Sequence, residues 1–294
     1  MKRGLTILLA IVMIAALIIP FAACEQKVEI PDGVNLSIMS FNIRQDTPTD
    51  TGVKDWDVRK DYLIAHVKEQ APALLCMQEV RKGQASDLQE GLSGYETIWY
   101  SRKVDESEEG LAIAYDTEKF EYISDDMFWL SETPDRESKG FGASYIRICV
   151  HAILKEIETQ REISVYCVHL DVDSRKARIK EIEMVMDKVK ADDREAIVCG
   201  DFNTTKEASA ECFEKISGVM YSAQETALNT EDGITYQGFG SKLLMFDSAI
   251  DFIYTTSGFF AKDFNILDEY KEIDGQTVYY SDHYAVKADV VFKS

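Results

Sequence analysis

The chain has 294 residues, of which 46% are hydrophobic, 11% aromatic and 29% charged. That balance supports a large buried core and excludes disorder, collagen-like repeats and disulfide miniproteins. With 32 Lys and Arg against 52 Asp and Glu, the formal charge is −20, which repels polyanions and argues against a protein held on nucleic acid by phosphate neutralisation. A phosphate-processing enzyme is still admitted, because a bound divalent cation inverts the field locally.

The first segment, 1–24, reads as an export signal: Lys2 and Arg3, then an almost wholly apolar run from Leu5 to Phe21, then small residues. The run is close to the lower limit for a spanning helix, ~17 residues, so an uncleaved anchor is the alternative. Phe21-Ala22-Ala23-Cys24 resembles the lipobox of bacterial lipoproteins, with Phe21 where Leu is usual. The resemblance implies lipidation at Cys24 and an exported protein on the cell membrane or outer membrane, facing outward. Residues 25–34 then read as a tether. No repeat, low-complexity tract or Pro/Gly/Ser-rich linker divides the rest, so 35–294 reads as one domain.

Within that domain, apolar runs predict strands at 36–42, 73–77, 95–100, 111–115, 146–157, 163–169, 196–199, 250–254 and 284–292. The run at 163–169 reads as buried on both faces. Helices are predicted at 58–70, 82–91, 174–191 and 206–216. The third carries Ile179, Ile182, Val185, Met186 and Val189 on one stripe, with Asp173 or Ser174 to cap it. The segment 120–130 is a core strand or an aromatic loop facing substrate or membrane. The runs at 146–157 and 163–169 form an antiparallel hairpin, so the fold class is α/β (α+β), with mixed sheets and helices outside.

Cys76, Cys149, Cys167, Cys199 and Cys212 are expected to be buried and reduced. Four lie in apolar runs, the number is odd, and no CxxC spacing suggests zinc.

Polar residues that follow apolar runs carry the functional signal, since a half-buried carboxylate, amide or imidazole is unfavourable unless it binds something. Five blocks have this form: Asn42 after Ile38-Met39-Ser40-Phe41; Glu79 after Leu74-Leu75-Cys76-Met77-Gln78; His169 after Val165-Tyr166-Cys167-Val168; Asp201 and Asn203 in Gly200-Asp201-Phe202-Asn203; and Ser281-Asp282-His283 opening the last strand. Each alone is weak, because a lone Asn or Asp at a strand end is usually a turn former. His66, in a helix, reads as structural, and His151, mid-strand, as core-facing.

Taken in order, and with Ile250-Asp251-Phe252-Ile253, the blocks resemble the endonuclease/exonuclease/phosphatase superfamily over about 36–292. The resemblance implies a four-layered α/β sandwich, two facing mixed sheets flanked by helices, and a metal-dependent phosphoesterase. It implies Glu79 as principal metal ligand with Asn42 and Asp282 nearby. Asp201 would hold or activate the attacking water, and Asn203 would orient Asp201 and the phosphate. His283 would donate to a phosphoryl oxygen, with Asp251 fixing its tautomer. His169 matches a second histidine supported by a glutamate, here Glu109 or its neighbour Glu108. Where Cys167 stands the family commonly has Asn. Arg147 is a candidate phosphate contact, ahead of Arg175 and Arg178, which open a solvated helix face. Oxygen ligands without a thiolate cluster suit a hard cation, Mg²⁺ or Mn²⁺. The expected substrate is a phosphorylated small molecule, a lipid head group or nucleic acid, handled by a monomer held to the membrane by its lipid. The other reading is a non-catalytic surface binding module on the same fold.

Overall fold

The computed structural model describes residues 28–242 and 245–294. The segment 1–24 read as an export signal, Cys24 included, lies outside the described residues. In chain order the elements are β1 (Gly33–Asn42), α1 (Trp56–Gln70), β2 (Leu74–Val80), α2 (Lys82–Gly91), β3 (Tyr95–Ser101), β4 (Gly110–Asp116), β5 (Phe120–Trp129), β6 (Ile148–Glu156) and β7 (Glu162–His169). There follow α3 (Arg175–Ala191), β8 (Glu195–Asp201), α4 (Ala210–Ser217), β9 (Tyr221–Ser222), α5 (Ala223–Thr226), β10 (Asn229–Thr230), β11 (Asp251–Thr255), β12 (Phe259–Leu267), β13 (Tyr270–Ile273), β14 (Gln276–Tyr279) and β15 (Ala285–Lys293).

Two mixed sheets face each other. The first runs β10-β12-β15-β1-β2-β4-β3 and the second β5-β6-β7-β8-β11-β9. The pairs β1–β2 and β7–β8 are parallel, while β6–β7 is the antiparallel hairpin read from sequence. Period-2 alternation sorts each central strand into two cores. From β1, β2 and β8, the side chains of Leu36, Ile38, Leu74, Cys76, Ile197 and Cys199 enter the core between the sheets. Their neighbours Met39, Phe41, Leu75 and Met77 pack outward against Leu63, Val67 and Leu88 of α1 and α2. Ala196 and Val198 pack outward with Ile182, Val185 and Met186 of α3. Strands apolar on both faces therefore produce four layers, and β7 is buried from Ile163 to His169 as expected.

The helix ends follow local chemistry. Asp55 caps α1 by accepting from the Asp57 N–H, and the helix stops at left-handed Ala71, just before Pro72. Ser174, rather than Asp173, caps α3, its hydroxyl accepting from the Ala177 N–H at 3.2 Å. Among the described residues, no helix is long and apolar enough to cross a membrane.

Several expectations shift. β1 starts at Gly33, inside the stretch read as tether. Segment 120–130 is the edge strand β5, with Phe120, Phe128 and Trp129 buried and Tyr122 exposed. α4 begins at Ala210, because 204–209 form turns held by Thr205. β12 carries no clean alternation: Lys262, Asp263 and Asn265 interrupt it, and a bulge lies between Ala261 and Asp263. His151 does not face the core. It bonds Asp126 at 2.9 Å and stacks on Tyr166 on the outer side of the second sheet. His66 is buried against Tyr280 in a structural position. All five described cysteines are buried and free.

Candidate active site

Strand register assembles the site. Asp201 ends β8, and the parallel ladder sets it opposite His169 at the end of β7. The antiparallel ladder on its other side sets it opposite Asp251 at the start of β11. All three continue the inward-facing series of their strands (Val165 and Cys167; Ile197 and Cys199; Ile253), so the inter-sheet core ends at this rim in three polar side chains. Gly200 lets the strands come this close, since a Cβ there would lie 2.0 Å from the Val168 carbonyl oxygen. Phe202 turns the other way, stacking near Phe213 and edge-on to Phe252, and anchors the loop that carries its two polar neighbours. Asn203 has φ 50°; its N–H donates to Asp201 Oδ1 at 2.8 Å and its amide to the Leu170 carbonyl at 2.9 Å.

The first sheet supplies the facing half. Asn42 ends β1, and its Nδ2 donates to Asp201 Oδ2 at 3.1 Å and to Glu79 Oε1 at 3.3 Å. Glu79 sits in a bulge of β2 with φ 61°, a left-handed conformation unusual outside glycine, which redirects its carboxylate. Its Oε2 accepts from the Gln45 N–H at 3.1 Å. Ser281 donates to the Asn42 carbonyl at 2.6 Å and accepts from the His283 N–H at 3.3 Å, which joins the final block to β1. Asp282 and Glu79 flank one guanidinium nitrogen of Arg44, at 3.8 and 3.9 Å.

His283 is held on both sides. Its Nδ1 bonds Asp251 Oδ2 at 3.0 Å, and its Nε2 points toward Asp201 Oδ2 at 3.8 Å. Burial opposes a charged ring, but the Asp251 carboxylate and its hydrogen bond, with Asp201 and Asp282, outweigh it and raise the pKa to about 10. Asp201 is raised to about 7 by burial and the Asp251 charge, against the opposing pull of His283. His169, with Nε2 at 3.5 Å from Asp201 Oδ2, is pushed well below the ordinary histidine value by burial and by Arg147, His283 and Arg102. The two rings thus prefer opposite protonation states beside one carboxylate.

Neither Glu108 nor Glu109 reaches His169. Glu109 bonds Arg102 at 2.5 Å and lies 3.8 Å from Arg147, and Glu108 pairs with the same Arg102 at 2.6 Å. His169 Nδ1 has no hydrogen-bond partner. A buried glutamate takes the nearest cation, and two arginines converge here. Arg178 is buried under the Asp171 and Val172 carbonyls, and Arg175 pairs with Glu211 on the helix surface; both lie outside the site. Cys167 bridges the sheets, donating to the Met77 carbonyl and accepting from Gln78.

Sequence reading missed four contributors. Arg44, clamped by Asp50 at 2.8 Å, leans over Glu79 and Asp282. Arg59, fully buried, donates to the carbonyls of Ile43, Arg44, Lys54 and Tyr280. Arg102 enters as described. The loop at Thr235-Tyr236-Gln237 braces the last block: Gln237 donates to the Ser281 and Asp282 carbonyls, and Tyr236 sets its ring edge-on to His283 at 5.1 Å. The signal available was Gly238 and Gly240 around Phe239, a turn signature after an apolar-polar run.

Two donor sets could hold a metal. Asp201, Asp251 and His283 bring ligand atoms within 4.8 Å of one another. Glu79 and Asp282, with the Asn42 amide, offer oxygen only and already share the Arg44 cation. A hard cation fits the second set, since His283 Nδ1 is committed to Asp251.

This is a two-sheet α/β sandwich with carboxylates, amides and two imidazoles gathered at one rim. The endonuclease/exonuclease/phosphatase family profile matches residues 39–283, and the chain belongs to that family, whose members are hydrolases of phosphoester bonds. A family protein from Bacteroides thetaiotaomicron is similar in structure (TM-score 0.82, 29% identity, 90% of this chain and 100% of that one). So is a mannosyl-6-phosphatase from the same organism (TM-score 0.79, 30% identity, 87% of this chain and 100% of that one). An uncharacterized protein of Acanthamoeba polyphaga mimivirus is 27% identical over 192 residues, 62% of this chain and 70% of that protein.

Proposed function

We propose that this chain is a divalent-metal-dependent phosphoesterase, with Mg²⁺ or Mn²⁺ as its cation, displayed outside the cell and acting on small phosphorylated molecules. The observation that carries the proposal is the convergence of His169, His283 and Asn42 on the single carboxylate of Asp201, with Glu79 and Asp282 alongside. The complete set favours turnover over a binding module, which has no need of a paired acid and base. The net charge of −20 and the similarity to a mannosyl-6-phosphatase favour a small substrate over a polymer or a lipid surface. Export and anchorage rest on Lys2, Arg3, the apolar run and the Ala22-Ala23-Cys24 junction.

In this reading Glu79, Asp282 and Asn42 hold the cation, which when bound would polarise a phosphoryl oxygen and offset its charge. Asp201 orients the attacking water and takes its proton, and the Asn203 N–H fixes the carboxylate for that task. Charged His283 donates to a phosphoryl oxygen while Asp251 holds the ring. Water oxygen bonds to phosphorus as its proton passes to Asp201, the ester P–O bond breaks, and the departing alkoxide takes a proton from solvent to leave as the alcohol. Neutral His169 and Arg147 border the same phosphate.

The test is release of nitrophenol from mono- and bis-nitrophenyl phosphate by the purified chain. Activity should vanish with EDTA, return with Mg²⁺ or Mn²⁺, and be absent in Asp201→Ala and Glu79→Gln. Turnover retained in both variants would refute the assignment.

A further inference from the structure

We infer that Tyr145, Arg102 and Glu108 form the subsite for the leaving group, and that this subsite selects a neutral, hydroxyl-rich alcohol, a sugar or polyol, over the next nucleotide of a chain. The inference rests on the phosphoesterase reading and adds the side of the substrate that is not phosphate.

Position comes first. Arg102, Glu109, Arg147 and His169 line one small cavity at the edge of the site. The guanidinium carbons of Arg102 and Arg147 lie 5.5 and 5.6 Å from the centre of the Tyr145 ring. The ring therefore stands one side chain away from His169, and it is 46% exposed. Its backbone is fixed: the Ser144 and Tyr145 N–H groups both donate to Asp171 Oδ2, at 2.8 and 3.1 Å. Arg102 is equally fixed, by Glu108 and Glu109 from the side and by Trp129 Nε1, which donates to its carbonyl at 3.0 Å.

Chemistry follows from the parts. An aromatic face beside a planar guanidinium–carboxylate pair suits a polyol. The C–H side of a sugar packs on the ring, and vicinal hydroxyls donate to the Glu108 carboxylate and accept from the guanidinium. Glu108 keeps its side chain 39% exposed, so an oxygen remains available for this. A second phosphate meets a different field. Asp105, Glu106, Glu108 and Glu109 crowd this rim, where Lys82 is paired with Glu106, Lys103 with Glu137 and Arg102 with Glu108 and Glu109, while Arg81 is spent on Gln45 and the Ser107 carbonyl and Arg147 borders the first phosphate. Beside Tyr145 a continuing diester chain would meet an Arg102 already engaged by two carboxylates, and its next charge would have to displace one of them to gain a cation.

The experiment compares two primary alkyl esters of similar intrinsic reactivity, glucose 6-phosphate and ethyl phosphate, with a ten-residue oligothymidylate as third probe, all with the full chain and Mg²⁺. Wild type should prefer the sugar phosphate in kcat/KM by tenfold or more, mostly through KM, and should cleave the oligonucleotide worst. Tyr145→Ala should bring the preference toward one, and Tyr145→Phe, which keeps the ring face, should retain it. An unchanged ratio in Tyr145→Ala, or an oligonucleotide preferred by wild type, would overturn the subsite while leaving the phosphoesterase reading intact. Failure of wild type to hydrolyse any of the three, with nitrophenyl phosphate still turned over, would overturn the subsite alone; inactivity on nitrophenyl phosphate as well would overturn both.

Discussion

The Asn42 amide crosses from the first sheet to the second and donates to Asp201 at 3.1 Å, linking two residues 159 positions apart in the chain. It also donates to Glu79, so one neutral side chain separates and satisfies two carboxylates that would otherwise face each other across the mouth of the sandwich.

Asn42→Ala should therefore weaken fold and function together. The buried Asp201 and the half-buried Glu79 each lose a partner, a loss of about 1–3 kcal/mol in stability. Turnover should fall by roughly 100-fold or more as Asp201 and Glu79 lose their relative placement. Urea unfolding and nitrophenyl phosphate kinetics on the same preparation check both.

The Asp251–His283 pair should behave as one unit. Asp251→Asn frees the ring to change tautomer, and His283→Ala removes it. Each should lower kcat/KM by roughly 10²–10⁴, the range for a positioned acid or base. The double variant should be little worse than His283→Ala alone. A further full multiplicative loss would show that Asp251 acts independently of the ring.

Glu181 gives a pH signature in stability. It is fully buried, its Oε2 accepts from the Asp171 N–H at 2.8 Å, and its Oε1 has no partner. Burial raises its pKa from 4.5 to about 7. The folded protein thus holds a proton that the unfolded chain releases between these values. Its contribution is fully present below about 4.5 and is lost as pH rises through about 7, for a total of about 3 kcal/mol. The stability of Glu181→Gln should not show that fall. Unfolding free energies of both proteins between pH 4.5 and 8 check the difference in slope.

Arg59→Met should be among the most damaging changes in the fold. The guanidinium is wholly buried, with its pKa lowered by burial to about 10, and it remains charged at neutral pH under four carbonyls. A methionine leaves the Ile43, Lys54 and Tyr280 carbonyls without this donor, while the Arg44 carbonyl keeps Gln84, so a loss of at least about 3 kcal/mol follows. Ile43-Arg44 and Tyr280 flank Asn42 and Asp282, so the apparent Mg²⁺ requirement should rise as well. A thermal melt and a Mg²⁺ titration of activity read the two effects.

Much of the architecture is legible along the chain because burial on both faces leaves a local mark. The runs around Leu75 and Val198 are apolar at every position, those around Ile38 and Val165 are broken only by serines, and each ends in a polar residue that the core cannot keep. Those endings identified Asn42, Glu79, His169, Asp201 and the Asp282-His283 pair as residues of one rim. β12 escaped notice because Lys262 and Asp263 break its pattern, and the Tyr236 loop because its task, donating to the backbone around Asp282, leaves no periodicity.

What the chain alone determined is therefore which side chains terminate strands, since alternation and hydrophobic run length are properties of neighbouring residues. Which of them touch was settled only by strand register and sheet packing: Asp251 beside Asp201, Asn42 across to the other sheet, Glu109 to Arg102 in place of His169. Such pairings join residues far apart in sequence, and a buried charge settles on whichever opposite charge the packed fold brings nearest.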